Sequence, residues 1–161
     1  MRILIPLLWL LMAVPSCGPT PTLRRAIDPV GKIDRSALDE SYRARYDTVQ
    51  IHSELLELIR QAHAGVDVLV FLGTWCSDSR REVPRFLKVA DSAGIPMERV
   101  VLYALDRRKT SPDGLEKKYG IDRVPTFIFM KEGVEIGRIV EVPKTTVEAD
   151  MLTILAAALT R

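Results

Sequence analysis

The sequence predicts an α/β domain in which a central mixed β-sheet is flanked by helices. Three observations lead to this fold class. A run of apolar, largely β-branched residues at 66–72 is followed by a helical pattern, and a second apolar run lies at 100–105. Strands that alternate with helices favour parallel pairing. Two further apolar segments, 126–130 and 135–140, are separated by a short turn and therefore predict an antiparallel hairpin.

The segment before the first buried strand is expected to be mostly helical. A helix capped by Asp34 or Ser36 is predicted to run to about Arg45, followed by an extended stretch near 46–51. Ser53 opens the next helix, because the apolar residues after it recur at helical spacing.

The remaining helices follow from the same periodicity. A helix is predicted at about 76–90, where Pro84 is expected to produce a kink. A polar loop at 106–113 precedes a short helix at 115–119. The last helix is amphipathic and begins at Thr145 or Thr146.

Length and charge limit the classes of function. The chain has 161 residues, which suits one domain and a leader. It carries 23 basic and 21 acidic residues, for a formal net charge of +2. This balance, without a long run of one sign, gives no indication of a nucleic-acid partner.

The first residues form an apolar segment of a different kind. Arg2 precedes the nearly continuous apolar run 3–14, which is shorter than the about 20 residues that a membrane span needs. A short basic start before such a run is typical of a secretory signal peptide. The alternative is a buried helix of the domain, which Pro6, Pro15 and the terminal location disfavour.

The end of this segment, Val-Pro-Ser-Cys-Gly at 14–18, resembles a bacterial lipoprotein signal. The resemblance implies cleavage before Cys17 and a lipid anchor on its sulfur, whereas a simple signal peptide with an incidental cysteine is the alternative. The expected organisation is a signal peptide at 1–16, a lipidated terminus and tether at 17–33, and the domain at 34–161. We expect an exported lipoprotein, anchored to a membrane of the bacterial cell envelope, with its domain in the periplasm or outside.

The cysteine count then points to Cys76. The chain has two cysteines, so lipidation of Cys17 leaves Cys76 as the remaining thiol. Cys76 follows a strand and begins a helix, and the unpaired N–H groups and dipole at a helix N-terminus favour a thiolate. Arg80 and Arg81 add to this effect if they turn toward the sulfur, whereas Asp78 opposes it.

Four short segments together resemble the thioredoxin superfamily. The combination is specific, because a Trp-Cys pair between a strand and a helix precedes a Val-Pro-Thr triplet by about 50 residues. The resemblance covers about 53–160 and is nearest to thioredoxin-like envelope lipoproteins with a Cys-X-X-Ser motif. The segments are Val-Phe-Leu-Gly-Thr-Trp-Cys-Ser-Asp-Ser at 70–79, Pro84, Lys-Tyr-Gly-Ile at 118–121 and Val-Pro-Thr at 124–126.

The resemblance implies a thioredoxin-like fold and a substrate site beside Cys76. It implies that Pro125 follows a cis peptide bond and that the backbone of Val124 lies beside the cysteine and pairs with an extended substrate segment. Trp75 either packs in the core or, as we expect, forms part of the docking surface, since indole offers an apolar face and one donor.

Three departures from the family restrict this comparison. Ser79 replaces the second cysteine of a Cys-X-X-Cys pair, so it cannot attack a mixed disulfide. It can donate a hydrogen bond to a Cys76 thiolate or cap the helix. Val70 stands where many thioredoxins have a buried acid, and Glu141 stands where the family often has a glycine.

The first hypothesis is a monothiol thiol-disulfide oxidoreductase or isomerase that acts through Cys76, assisted by Ser79. Its expected partners are proteins with thiols or disulfides, or low-molecular-weight thiols. The alternative is a redox-inactive module that binds peptides or proteins in the envelope. A third hypothesis is a redox sensor or thiol peroxidase, in which Cys76 forms a sulfenic acid.

No cofactor or metal site is expected. His52 and His63 are eleven positions apart, and no cysteine or carboxylate lies at a metal-ligand spacing from them. We interpret both as surface or helix-packing residues.

Overall fold

The computed structural model describes residues 28–159. The predicted fold class is confirmed: a five-stranded mixed sheet is flanked by helices. The strands are β1 (Gly31–Ile33), β2 (Val66–Leu72), β3 (Val100–Ala104), β4 (Thr126–Lys131) and β5 (Val134–Val140). The helices are α1 (Glu40–Thr48), α2 (Ser53–Ala62), α3 (Ser77–Ser92), α4 (Leu115–Lys118) and α5 (Val147–Leu159), with short 3-10 helices at Arg35–Ala37 and Met97–Arg99.

The sheet has the strand order β1-β3-β2-β4-β5. Strands β2 and β3 are parallel, and the other neighbours are antiparallel. The central strand β2 pairs on both sides, so that Val70 lies opposite Leu102 of β3 and Phe127 of β4. Because ligands of such sheets bind outside the carboxyl ends of parallel strands, the end of β2 is the expected place for a site.

Two apolar cores lie on opposite faces of the sheet. Alternate residues of β2 point to opposite faces, so Val68 and Val70 join the larger core and Leu69 and Phe71 the smaller one. Buried residues of α1, α2, α3 and α5 complete the larger core. The smaller core includes Leu115 of α4 and extends to Cys76. The Cys76 side chain therefore packs against the smaller core.

The structure differs from the sequence-based expectation at the start of the domain. Residues expected to form the end of the tether, 31–33, are strand β1 and pair with β3. The single helix predicted from Asp34 or Ser36 is instead a 3-10 turn followed by α1, which ends at Thr48 and not at Arg45.

The reason for this difference is a local one. Asp39 is extended, and its carboxylate accepts a hydrogen bond from the Ser41 amide at 2.9 Å, which begins a new helix. The extended stretch expected at 46–51 is correspondingly wrong over 46–48, which belong to α1. A three-residue strand such as β1 carries no periodicity that a sequence pattern could reveal.

The rest of the domain follows the predicted order. Strand β2 has the predicted bounds, the hairpin β4–β5 is antiparallel, and α5 reaches Leu159. Helix α3 contains Pro84 and continues to Ser92, beyond the predicted end. Within residues 28–159, no helix has the length and apolar character needed to cross a membrane. The predicted signal peptide and Cys17 lie outside the described residues.

Candidate active site

Cys76 lies at the point where the chain leaves β2 and enters α3. It is the N-cap residue of α3 and has an extended backbone, with φ −86° and ψ 129°. Its amide donates to the Gly73 carbonyl at 2.9 Å, and its own carbonyl accepts from the Arg80 amide at 3.1 Å. The side chain is partly exposed. Cys76 therefore precedes the first turn of α3 directly, and its side chain makes no capping hydrogen bond to the N–H groups of that turn.

The loop before β4 brings a second backbone segment to the sulfur. The Val124–Pro125 peptide bond is cis, as the family resemblance implies. The Cys76 thiol donates a hydrogen bond to the Val124 carbonyl, with Sγ and oxygen 3.3 Å apart. The structure thus places Val124 beside the thiol, and the binding of a substrate segment by Val124 and Pro125 stays a prediction.

Ser79 occupies the position of a second cysteine, and its hydroxyl has a backbone partner. The side chain is fully buried, and its Oγ accepts a hydrogen bond from the Gly73 amide at 3.2 Å. This bond connects the first turn of α3 to Gly73, the residue after β2 at the beginning of the loop that leads to Cys76. The contact is structural, and a catalytic role for the hydroxyl stays a prediction.

Trp75 forms one wall of the site. Its Nε1 donates to the Leu105 carbonyl at 3.0 Å, which ties the ring to the residue after β3. The ring covers Gly73 so closely that a Cβ there would lie 2.7 Å from it. The guanidinium of Arg107 lies over the ring, 5.7 Å from its centre. Trp75 is therefore both packed and partly exposed, which keeps its predicted docking role open.

Asp28, in the segment before β1, also contacts this loop. The Thr74 hydroxyl donates to Oδ1 of Asp28 at 3.3 Å, and Oδ2 of the same carboxylate lies 3.5 Å from Nε of Arg107. Asp28 therefore joins the loop before Cys76 to the loop after β3. The segment before β1 therefore lies next to the candidate site, which the sequence pattern did not indicate.

The two arginines after Cys76 are directed to other groups. Nε of Arg80 donates to the Thr74 carbonyl at 2.9 Å, and its guanidinium lies 3.5 Å from the Asp39 carboxylate. Arg81 forms an ion pair with Asp78 at 2.8 Å. Neither arginine is hydrogen-bonded or paired to the Cys76 sulfur in this arrangement, so the expected assistance to a thiolate is not seen.

The structure also shows a buried acid that sequence reasoning missed. Glu82 is fully buried on α3 and forms ion pairs with Arg81 at 2.5 Å and Arg85 at 3.2 Å. The signal in the sequence was an acidic residue flanked by arginines one and three positions away on one helix. At the family's acid position, Val70 is fully buried in the larger core.

Glu141 lies against the loop that contains the cis peptide. Its φ of 59° is in the left-handed region, which glycine adopts without strain and which agrees with its match to a family glycine. Its amide donates to the Pro125 carbonyl at 2.7 Å, and its carboxylate forms an ion pair with Arg123 at 2.8 Å. Two opposite charges therefore border this side of the site.

The histidines lie away from these residues, at the two ends of α2. The backbone amide of His52 donates to the Glu148 carboxylate at 3.3 Å. Among residues 28–159, no group of three or more histidine, cysteine or acidic side chains is arranged to hold a metal ion.

Comparison with known proteins supports the fold and identifies the family. A protein of unknown function from Pseudomonas aeruginosa is similar in structure, with a TM-score of 0.57, 15% identity, and 81% of this chain and 93% of that chain covered. An HIV epitope-scaffold has a TM-score of 0.51, 18% identity, and 74% and 81% coverage.

Thioredoxin O2 from Arabidopsis thaliana, in its oxidised state, is 22% identical, with a TM-score of 0.39 and coverage of 67% and 85%. None of the curated protein sequences matches the chain. A family model described as thioredoxin matches residues 32–154, which is most of the chain and includes Cys76 and the cis peptide. The chain therefore belongs to the thioredoxin family.

Proposed function

We propose that this protein is a monothiol thiol-disulfide oxidoreductase or isomerase that acts through Cys76. The observation that carries the proposal is the position of the sulfur. Cys76 is partly exposed at the start of α3, and its sulfur lies 3.3 Å from the Val124 carbonyl beside the cis peptide. This arrangement joins a helix N-terminus to a backbone segment suited to an extended substrate, and Ser79 contributes no second thiol.

The proposed reaction has two steps that use one thiol of the protein. The Cys76 thiolate attacks one sulfur of a substrate disulfide, a new S–S bond forms, and the other substrate sulfur leaves with the electron pair and takes a proton. A second thiol, from the substrate or from a low-molecular-weight thiol, then attacks the mixed disulfide and releases Cys76 as a thiolate. A thiol from the same substrate makes the overall reaction an isomerisation.

The neighbouring backbone has a specific part in this proposal. The Val124 carbonyl accepts from the thiol when Cys76 is reduced. A mixed disulfide has no S–H, so the carbonyl is then free to accept a hydrogen bond from an amide of the bound substrate. The exposed part of the Trp75 side chain supplies apolar contact to the same segment.

We further propose that the domain works in the bacterial cell envelope, either in the periplasm or outside the cell. Support comes from the apolar run 3–14 and the sequence around Cys17, which resemble a lipoprotein signal. Two acyl chains on Cys17 provide a stable membrane anchor. Radiolabelled palmitate incorporation that is lost in Cys17→Ser tests the anchor, and equal incorporation in both proteins contradicts it.

The activity is tested with the purified full-length protein and a small peptide disulfide. We expect mass spectrometry to detect a mixed disulfide on Cys76 that forms rapidly and disappears when a second thiol is added. Cys76→Ala is the matched control, because the variant keeps the fold and lacks the sulfur. Absence of an adduct in the wild-type protein, under conditions that modify a free cysteine peptide, contradicts the proposal.

The alternative is a redox-inactive module that binds an extended peptide beside Pro125. One observation favours it: the proton of the Cys76 thiol is held in a hydrogen bond to Val124, which is a structural use of a cysteine. The module predicts slow alkylation of Cys76 and equal peptide binding by the wild type and Cys76→Ala. The oxidoreductase predicts rapid alkylation and an adduct that requires the sulfur.

A further inference from the structure

The Tyr42 hydroxyl is a buried polar group without a partner. The side chain is 2% exposed, and its hydroxyl oxygen makes no hydrogen bond within the described residues. An unsatisfied buried polar group destabilises a protein, because it has lost its hydrogen bonds to water. A native structure that retains such a group calls for an explanation, such as a ligand, a water molecule or a chemical state in which the group finds its partner.

Tyr42 lies between two contacts that join α1 to α3. At one end the Asp39 carboxylate lies 3.5 Å from the Arg80 guanidinium, and at the other the Tyr46 hydroxyl donates to Asp91 at 2.8 Å. Arg80, Pro84, Leu87 and Asp91 recur at helical spacing on the face of α3 that α1 covers, and Cys76, the N-cap residue, lies four positions before Arg80. Side chains in a helix tilt toward its N-terminus, which directs Tyr42 to the end of α3 that begins with Cys76.

The charges around the phenol agree with this placement. Burial is the main reason that the pKa of Tyr42 is raised far above the ordinary value of a tyrosine. The positive charge of Arg80 opposes the rise, and negative charge on Asp39 and on Cys76 adds to it. These are the charged and titratable groups of α1 and α3 that act on the hydroxyl. Tyr42 therefore keeps its proton at ordinary pH and is a donor.

The Cys76 sulfur changes its hydrogen-bonding needs when it ionises. As a thiol it donates to the Val124 carbonyl, but a thiolate has no proton to donate and requires a donor instead. The side chains nearest in sequence are committed elsewhere, since Arg80 donates to Thr74 and Arg81 is paired with acids. Besides the backbone N–H groups of the first turn of α3 and the Ser79 hydroxyl, the Tyr42 hydroxyl is a donor on the side of α3 that α1 covers, and it makes no hydrogen bond within residues 28–159.

We propose that the Tyr42 hydroxyl donates a hydrogen bond to the Cys76 thiolate, and so serves as a further catalytic residue of this site. The inference rests on the proposed thiol chemistry of Cys76. The proposal requires the sulfur to leave the Val124 carbonyl, which repels a thiolate, by rotation about the Cα–Cβ bond of Cys76.

Tyr42 keeps its proton through the exchange reaction. The hydrogen bond is present while Cys76 is a thiolate and is lost when the sulfur forms a mixed disulfide. It forms again when a second thiol displaces Cys76, whose sulfur then takes the electron pair of the broken S–S bond. A stabilised thiolate is the better leaving group, so the hydroxyl favours release of the substrate.

The test uses the full-length protein with the Cys17→Ser substitution, so that Cys76 is its one cysteine. The rate of iodoacetamide alkylation is measured from about pH 5 to pH 10. We expect Tyr42→Phe to move the midpoint of this profile upward by about one pH unit, which is the size expected for one hydrogen bond to a charged group. Tyr46→Phe is the matched control. It removes a hydroxyl from the same helix, but the Tyr46 hydroxyl donates to the Asp91 carboxylate and not to the Cys76 sulfur.

The free energy of unfolding of each reduced protein is also measured with urea, at a pH below the alkylation midpoint. Tyr42→Phe is expected to be at least as stable as the parent there, since it removes an unpaired buried hydroxyl. An upward shift in Tyr42→Phe but not in Tyr46→Phe supports the inference. Equal shifts in both variants, or no shift with a rapidly alkylated Cys76, overturn it and leave the proposed function intact. Slow alkylation of the parent at every pH overturns the proposed function, and the inference with it.

Discussion

Replacing Ser79 by alanine isolates the hydrogen bond that this side chain makes in the place of a second cysteine. The Ser79 Oγ is fully buried and accepts from the Gly73 amide at 3.2 Å. Alanine keeps the helix but leaves that amide without its partner at the buried end of β2. An unpaired buried donor destabilises by about 1–3 kcal/mol, and the long distance places this case in the lower half of that range.

The expected loss is therefore about 1.5 kcal/mol in the free energy of unfolding, which corresponds to a fall of roughly 5–8 °C in Tm for a domain of this size. Urea denaturation followed by circular dichroism measures the first value and a thermal scan the second. The midpoint of the alkylation profile of Cys76 is expected to stay in place, because the Ser79 hydroxyl binds backbone and not the sulfur.

Ser77→Ala is the control for this experiment. Ser77 is exposed at the first position of α3, and its hydroxyl makes no hydrogen bond within the described residues. Its replacement is expected to change the stability by less than about 0.5 kcal/mol. If Ser79→Ala is as stable as Ser77→Ala, the hydrogen bond from the Gly73 amide to the Ser79 hydroxyl does not stabilise the fold, and the reasoning is wrong. If instead the alkylation midpoint of Ser79→Ala rises, the hydroxyl serves the Cys76 thiolate as a donor.

Three further changes test other parts of the structure. Ser79→Cys introduces a resolving thiol in the first turn of α3. The variant should form a disulfide with Cys76 and should reduce insulin. A mass that shows both thiols free under oxidising conditions contradicts this prediction. Gly137→Ala places a Cβ 2.9 Å from Ile154 of α5, so urea unfolding should show a loss of about 1–3 kcal/mol, whereas wild-type stability refutes the overlap. Burial and a hydrogen bond to a carboxylate raise the pKa of Tyr46 to about 12. The raised pKa of Tyr46 stabilises the folded protein fully below about pH 10, the ordinary tyrosine pKa of the unfolded chain, and this stabilisation is lost as the pH rises to about 12. Tyr46→Phe should therefore lose less stability than the wild type when urea unfolding is repeated at increasing alkaline pH. Parallel curves for the two proteins argue against this effect.

Much of the domain could be predicted because its signals are local. The run 66–72 is apolar and β-branched, and a strand forms there with the same bounds. The turn between two apolar segments predicted the hairpin, and β4 and β5 pair as expected. The family motif placed Val124 beside Cys76 and implied the cis peptide before Pro125, and the structure has both features.

The details of the site could not be predicted in the same way, because they depend on residues far apart in sequence. Glu82 reads as an ordinary charged position on a helix, and its burial follows from how α3 lies in the domain. Strand β1 has three residues and exists through its pairing with β3. Asp28 reaches Thr74 across 46 positions of sequence. No periodicity encodes contacts of this kind.

The sequence by itself determined the fold class, the position of Cys76 at a helix start and the absence of a second thiol at position 79. These follow from the composition and spacing of neighbouring residues, which act over a few positions. The tertiary structure decided what surrounds the sulfur. It directs Arg80 to Thr74, gives the Ser79 oxygen to a backbone amide, and brings α1 with the unpaired Tyr42 hydroxyl against the helix that Cys76 begins. Packing between distant elements sets these partners, because each buried polar group takes whichever donor or acceptor the fold brings within reach.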